Sequence, residues 1–109
     1  MNGSEPQQII IETLRSYLKN KCDEILGYVS ITGQRIIKIY LRALYRFYRS
    51  SEEYPRLSDV LNAALSSGKD PLKELGFELH IDTEEYIEAS VDTLTRLCNE
   101  IRNYGVSNK

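Results

Sequence analysis

Residues 34–51, QRIIKIYLRALYRFYRSS, constrain this chain more than any other stretch, because they carry Arg35, Lys38, Arg42, Arg46 and Arg49 and no acidic residue. At about 100° per residue the five cations fall on one narrow face, while Ile37, Tyr40, Leu41, Leu44, Phe47 and Tyr48 fall on the other. That spacing predicts an amphipathic helix with a basic stripe. An amphipathic helix must bury its apolar side against other elements, so the rest of the chain is read for partners.

With 109 residues there is room for one hydrophobic core, and the expectation is a single domain over 1–109. Hydrophobic residues at 41% and charged residues at 28% lie near globular averages, which argues against wholesale disorder. No apolar run reaches the length of a membrane span, and the first residues, MNGSEPQQ, have neither the basic nor the hydrophobic region of a signal peptide. Cys22 and Cys98 each sit where an amphipathic helix wants an apolar residue, so they are read as buried thiols rather than a disulfide. Buried thiols in turn imply a cytoplasmic protein.

In chain order, Ser4 and Gln7 have the form of a capping box. The helical recurrence of Ile10, Ile11, Leu14, Tyr17, Leu18, Ile25 and Leu26 then predicts a helix over 5–26 closed by Gly27. Residues 28–32 alternate like a short strand or connector. The basic helix follows over 34–51, and Leu57, Val60, Leu61, Ala64 and Leu65 predict a short helix ended by Gly68. Asp70 and Pro71 open one more turn before Gly76, and Phe77, Leu79 and Ile81 alternate with Glu78 and His80, a strand able to pair with 28–32. Asp82 and Glu85 resemble a second capping box, and Ile87, Val91, Leu94, Cys98 and Ile101 predict a last helix over 83–104 closed by Gly105. The expected fold is all-α, a small helical bundle of three long helices plus one or two short ones, with a minor two-stranded ribbon as its only sheet.

The net charge of −2 conceals an asymmetry, since Glu74, Glu78, Asp82, Glu84, Glu85, Glu88 and Asp92 occupy 74–92 without a single Lys or Arg. Binding depends on where charge lies. Cations three or four residues apart on a helix can follow a phosphodiester backbone, and Tyr45 at the stripe's edge can stack on an unpaired base. Arg35, Lys38, Arg42, Tyr45, Arg46 and Arg49 are therefore the expected nucleic-acid contacts, unless the acidic run docks on them. Thr32, Gln34 and Arg35, around Gly33 at the start of the basic helix, are the candidate nucleotide contacts, with ATP as the ligand, although Gly33 also suits an ordinary turn. Glu84, Glu88 and Asp92 share one face of the expected last helix. They are read as a solvated acidic face, with no metal site, because nothing nearby in sequence completes a shell. His80, the lone histidine, reads as a surface or strand-edge residue, and with no nucleophile or matched acid–base pair the chain is not expected to be an enzyme.

In outline, YVSITGQRIIKIYLRALYRFYRSSEEYPRLSDVLNAAL resembles a ribbon-helix-helix repressor, with a longer first helix and no cation among the strand's outward residues Tyr28, Ser30 and Thr32. In size, basic helix, tyrosine content and acidic last helix, the whole chain is similar to the helical-bundle domain that accompanies archaeal plasmid primase-polymerases. That resemblance implies a part in DNA replication: contact with single-stranded or template DNA and with nucleotides, inside a larger replication complex. No cofactor is expected to be required, and the lack of a long apolar run leaves no membrane partner expected. The helical small subunits of CRISPR effector complexes share these gross features. The working expectation is a non-catalytic nucleic-acid-binding domain, and its rival is a protein–protein adaptor.

Overall fold

A computed structural model describes residues 5–68, 70–81 and 83–107, with side chains as far as residue 103. It holds helix α1 (Pro6–Thr32), strand β1 (Ile36–Tyr40), the short helix α2 (Leu41–Tyr45), helix α3 (Leu57–Ser66), the single turn α4 (Pro71–Glu74), strands β2 (Glu78–Ile81) and β3 (Glu85–Ser90), and helix α5 (Val91–Ser107). The fold is mixed α and β. An antiparallel sheet of order β1-β3-β2 replaces the expected three-long-helix bundle.

The largest correction falls on 34–51, where the expected basic helix is a strand followed by one short helix. Ile36, Ile37, Ile39 and Tyr40 are β-branched or aromatic and suit a pleated surface. Ile37 and Ile39 are buried while Ile36 and Lys38 are exposed, a period of two where the cation spacing suggested 3.6. Leu41 and Leu44 then reach the core from α2.

The last expected helix is likewise divided. Residues 85–90 form β3, whose Ile87 and Ala89 point inward, and Ser90 starts α5 by accepting the Thr93 backbone N–H at 3.1 Å. Asp82, the expected cap, lies outside the described residues. The helix also continues through Gly105 to Ser107.

Gly27 does not end α1 either. It sits on the exposed side, where a missing side chain leaves no cavity, and the buried stripe continues through Leu18, Cys22 and Val29. Termination falls to Gly33, whose φ of 74° is left-handed and whose N–H reaches the Val29 carbonyl at 2.8 Å. Residues 28–32 are therefore helical and pair with no strand; β2 pairs with β3 instead.

Two segments follow the expectation. α3 buries Leu57, Val60, Leu61 and Ala64, while Leu65 of the expected apolar face is exposed, and Asp70 caps α4 by accepting the Lys73 N–H at 3.1 Å. The core is one cluster in which α1, α3 and α5 meet the inner face of the sheet, with Leu14, Leu18, Val60, Ile87, Leu94 and Cys98 almost fully buried. Cys22 and Cys98 occupy the expected apolar positions, but α1 and α5 bring their Cα atoms to 5.9 Å and they form a disulfide. Asp23 and Arg102 pair beside it on the same two helices. Among the described residues, no helix is long and apolar enough to cross a membrane.

Candidate functional site

The antiparallel register decides what the outer face of the sheet presents. On β1, burying Ile37 and Ile39 leaves Ile36, Lys38 and Tyr40 facing out. On β3, burying Ile87 and Ala89 leaves Tyr86, Glu88 and Ser90 facing out. Lys38 lies opposite Glu88 and Tyr40 opposite Tyr86, while β2 sets Glu78 opposite Glu88 and His80 opposite Tyr86. Two rows cross the three strands, one of rings (Tyr40, Tyr86, His80) and one of charges (Lys38, Glu88, Glu78).

The ring row is in contact throughout. Tyr40 meets Tyr86 edge-on at 5.8 Å between centroids, and His80 stacks on the other side of Tyr86 at 4.7 Å and 14°. Lys38 Nζ lies 4.7 Å from the Tyr86 centroid, and the Arg42 guanidinium 5.2 Å from that of Tyr40, both within cation–π range. Tyr45, on the exposed side of α2, joins Tyr40 and Arg42 around a cleft closed by Thr83, Glu84 and Glu85. The face is a platform of half-buried rings edged by cations.

Beside it stands the charge cluster. His80 Nε2 lies 3.1 Å from Glu78 Oε1 and 3.0 Å from Glu88 Oε1, and one ligand atom from each of the three residues falls within 4.8 Å of the others. Of the acidic face expected on a helix, Glu88 alone joins this group. Asp92 lies in the first turn of α5, and Glu84 precedes β3.

The expected nucleic-acid contacts therefore separate. Lys38, Arg42 and Tyr45 gather at the outer face, Arg35 precedes β1, and Arg46 caps α2. Arg49 lies in the following loop and lines a cleft against α1 with Arg15 and Glu12. The acidic run does meet the basic one, by strand pairing of β1 with β3 rather than by helix docking. For the candidate nucleotide contacts, Thr32 is the last residue of α1, and the Gln34 N–H reaches its Oγ1 at 3.4 Å. Helix C-termini present carbonyls and partial negative charge, and the Gly33 and Gln34 N–H groups are engaged by the Val29 carbonyl and Thr32 Oγ1.

Tyr40, Tyr86, His80 and Glu78 are functional candidates that helical periodicity missed. Their signal was the alternation of Lys38 and Tyr40 with Ile37 and Ile39, and of Tyr86 and Glu88 with Ile87 and Ala89. Comparison of the chain with known protein families, with curated proteins and with solved structures finds no match in any of the three.

Proposed function

We propose that this domain binds single-stranded nucleic acid across the outer face of its sheet, without catalysing a reaction. One observation carries the reading: the contiguous row of Tyr40, Tyr86 and His80 with Lys38 and Arg42 held over its rings. Rings on an antiparallel sheet can stack unpaired bases, here at the exposed Tyr45 and along the outward edges of the half-buried row, and cations beside them meet the phosphates. Glu78 and Glu88 repel phosphate, so the strand's path runs over Tyr40, Tyr86 and Lys38 toward Arg42 and Tyr45. A place within a DNA replication or priming assembly, with template DNA as the ligand, belongs to the same proposal. A nucleotide such as ATP would use the same rings in preference to Thr32, Gln34 and Arg35.

The cytoplasmic setting loses the support of unpaired thiols. An intracellular role puts the chain in a cell whose interior tolerates disulfides, as in hyperthermophiles. The adaptor reading has one observation in its favour: β1 and β2 are both edge strands, with Ile36 and Ile81 more than half exposed, so that a partner strand could be added.

Fluorescence anisotropy with short labelled oligonucleotides tests the proposal. Tyr45→Ala, at the exposed ring, should lose about 1–3 kcal/mol of stacking, roughly a fivefold to 150-fold drop in affinity. Reversing Lys38 and Arg42 to Glu should abolish binding while leaving the circular-dichroism spectrum intact. For single strands the log of affinity should fall with log salt by about 0.7 per neutralised phosphate. Unchanged affinity in both variants would refute the reading, and a stable oligomer with no oligonucleotide shift at low salt would favour the adaptor.

A further inference from the structure

The geometry points to a divalent transition-metal site on the outer face of the sheet, held by the carboxylates of Glu78 and Glu88 and by His80 Nε2. Its argument is independent of nucleic-acid binding and begins with register. Glu78 and Glu88 are direct cross-strand partners, and like charges placed opposite each other destabilise a sheet. A solvent-facing position accepts many side chains, so two carboxylates converging on one point call for a cation between them.

The spacing fits a metal. Nε2 lies 3.1 Å and 3.0 Å from the two carboxylate oxygens. Ligand bonds of about 2.1 Å place neighbouring donor atoms about 3.0 Å apart at octahedral angles and about 3.4 Å apart at tetrahedral ones. A single N–H on Nε2 cannot point along both directions at once, whereas a metal ion could draw together three ligand atoms that already lie within 4.8 Å of one another on partly exposed side chains. The imidazole is already oriented, because Tyr86 stacks flat against it on one side.

Chemistry narrows the ion. One imidazole with two carboxylates suits Zn²⁺ or Mn²⁺ better than Ca²⁺ or Mg²⁺, which favour all-oxygen shells. Glu78 is exposed and His80 and Glu88 are about a third and a fifth exposed, so the remaining coordination positions face solvent and are open to water or a ligand oxygen. Lys38, across the strand from Glu88, turns its amino group over Tyr86. Because the cysteines are joined, no thiolate competes in the oxidised protein.

The test uses the full oxidised chain, stripped with EDTA and titrated with ZnCl₂, MnCl₂ and CaCl₂ in an isothermal calorimeter. His80 is the only histidine, so its imidazole NMR signals report the site without ambiguity. One equivalent of Zn²⁺ should bind and shift those signals, Mn²⁺ should broaden them, and Ca²⁺ should do neither. Glu88→Gln and Glu78→Gln should each weaken Zn²⁺ at least tenfold, His80→Gln should abolish it, and all three should melt within a few degrees of the parent. Absence of heat and of imidazole shifts at millimolar Zn²⁺ would overturn the assignment and leave the imidazolium itself as the cation between the carboxylates. Zn²⁺ binding unaltered by both Glu variants would overturn it equally.

Discussion

Reducing the disulfide between Cys22 and Cys98 tests how this domain is held together. The bond closes a loop of 76 residues in sequence separation, joining α1 to α5. In the chain-entropy treatment a loop of that size removes about 15 cal/mol/K from the unfolded ensemble, or about 4.5 kcal/mol at 25 °C. Domains of this size have a total stability of roughly 5–15 kcal/mol, so reduction removes about 30% or more of it. The entropy of unfolding, about 2.1 cal/mol/K per residue, converts the loss into a fall in melting temperature of about 20 °C. Both sulfurs are buried, Cys98 completely, so the reduced protein keeps its packing and the change acts mainly on the unfolded chain. The assay is far-UV circular dichroism during heating, with and without reductant, alongside thiol titration to establish complete reduction. Oxidised and fully reduced forms melting within a few degrees of each other would refute the reasoning.

Two further predictions concern stability. Gly76 has a φ of 98°, and a Cβ there would meet Thr93 Cγ2 at 2.9 Å, so Gly76→Ala should cost on the order of 1–3 kcal/mol, read as a lower urea midpoint. Tyr17 and Tyr48 have pKa values raised above the ordinary tyrosine value, chiefly by burial and secondarily by the negative charge of Glu24 near Tyr17 and Asp59 near Tyr48. Because the folded state holds these protons more tightly than the unfolded chain, their contribution is complete below about pH 10 and is lost as pH rises through the folded values. Urea midpoints should therefore fall from pH 9 to pH 11, and the fall should shrink in Tyr17→Phe.

Helix α3 and the α4 turn were legible in the sequence because their apolar spacing and their Asp, Pro and Gly boundaries are local. The sheet was not, because two of its strands imitate helices. Ile37, Tyr40, Leu41 and Leu44 fit a 3.6-residue period, as do Ile87, Val91, Leu94 and Cys98, yet each series crosses from a strand into a helix at Leu41 or Val91. In both places a buried strand residue happens to stand at helical distance from the first buried residue of the next element. The strand over 78–81 was recognisable from its alternation, but its partner lay downstream rather than at 28–32. Exposure of Lys38, Arg42 and Tyr45 could be foreseen from charge and position. The ring row and the Glu78–His80–Glu88 group could not, since register brings them together from segments far apart in the chain. The disulfide was hidden for a related reason: a cysteine on a buried stripe reads the same whether or not another faces it.

The strand order β1-β3-β2 also sets a timetable. Synthesis delivers β1 and then β2, but neither pairs with the other, and every ladder in the sheet runs through β3. The isoleucines of β1 emerge early and wait several seconds, at ribosomal rates of about 5–20 residues per second, until the chain has been made through Ser90. Until then the nascent chain has α1, α3 and α4 to collapse upon, but no sheet. The last strand to appear is the one that assembles the other two.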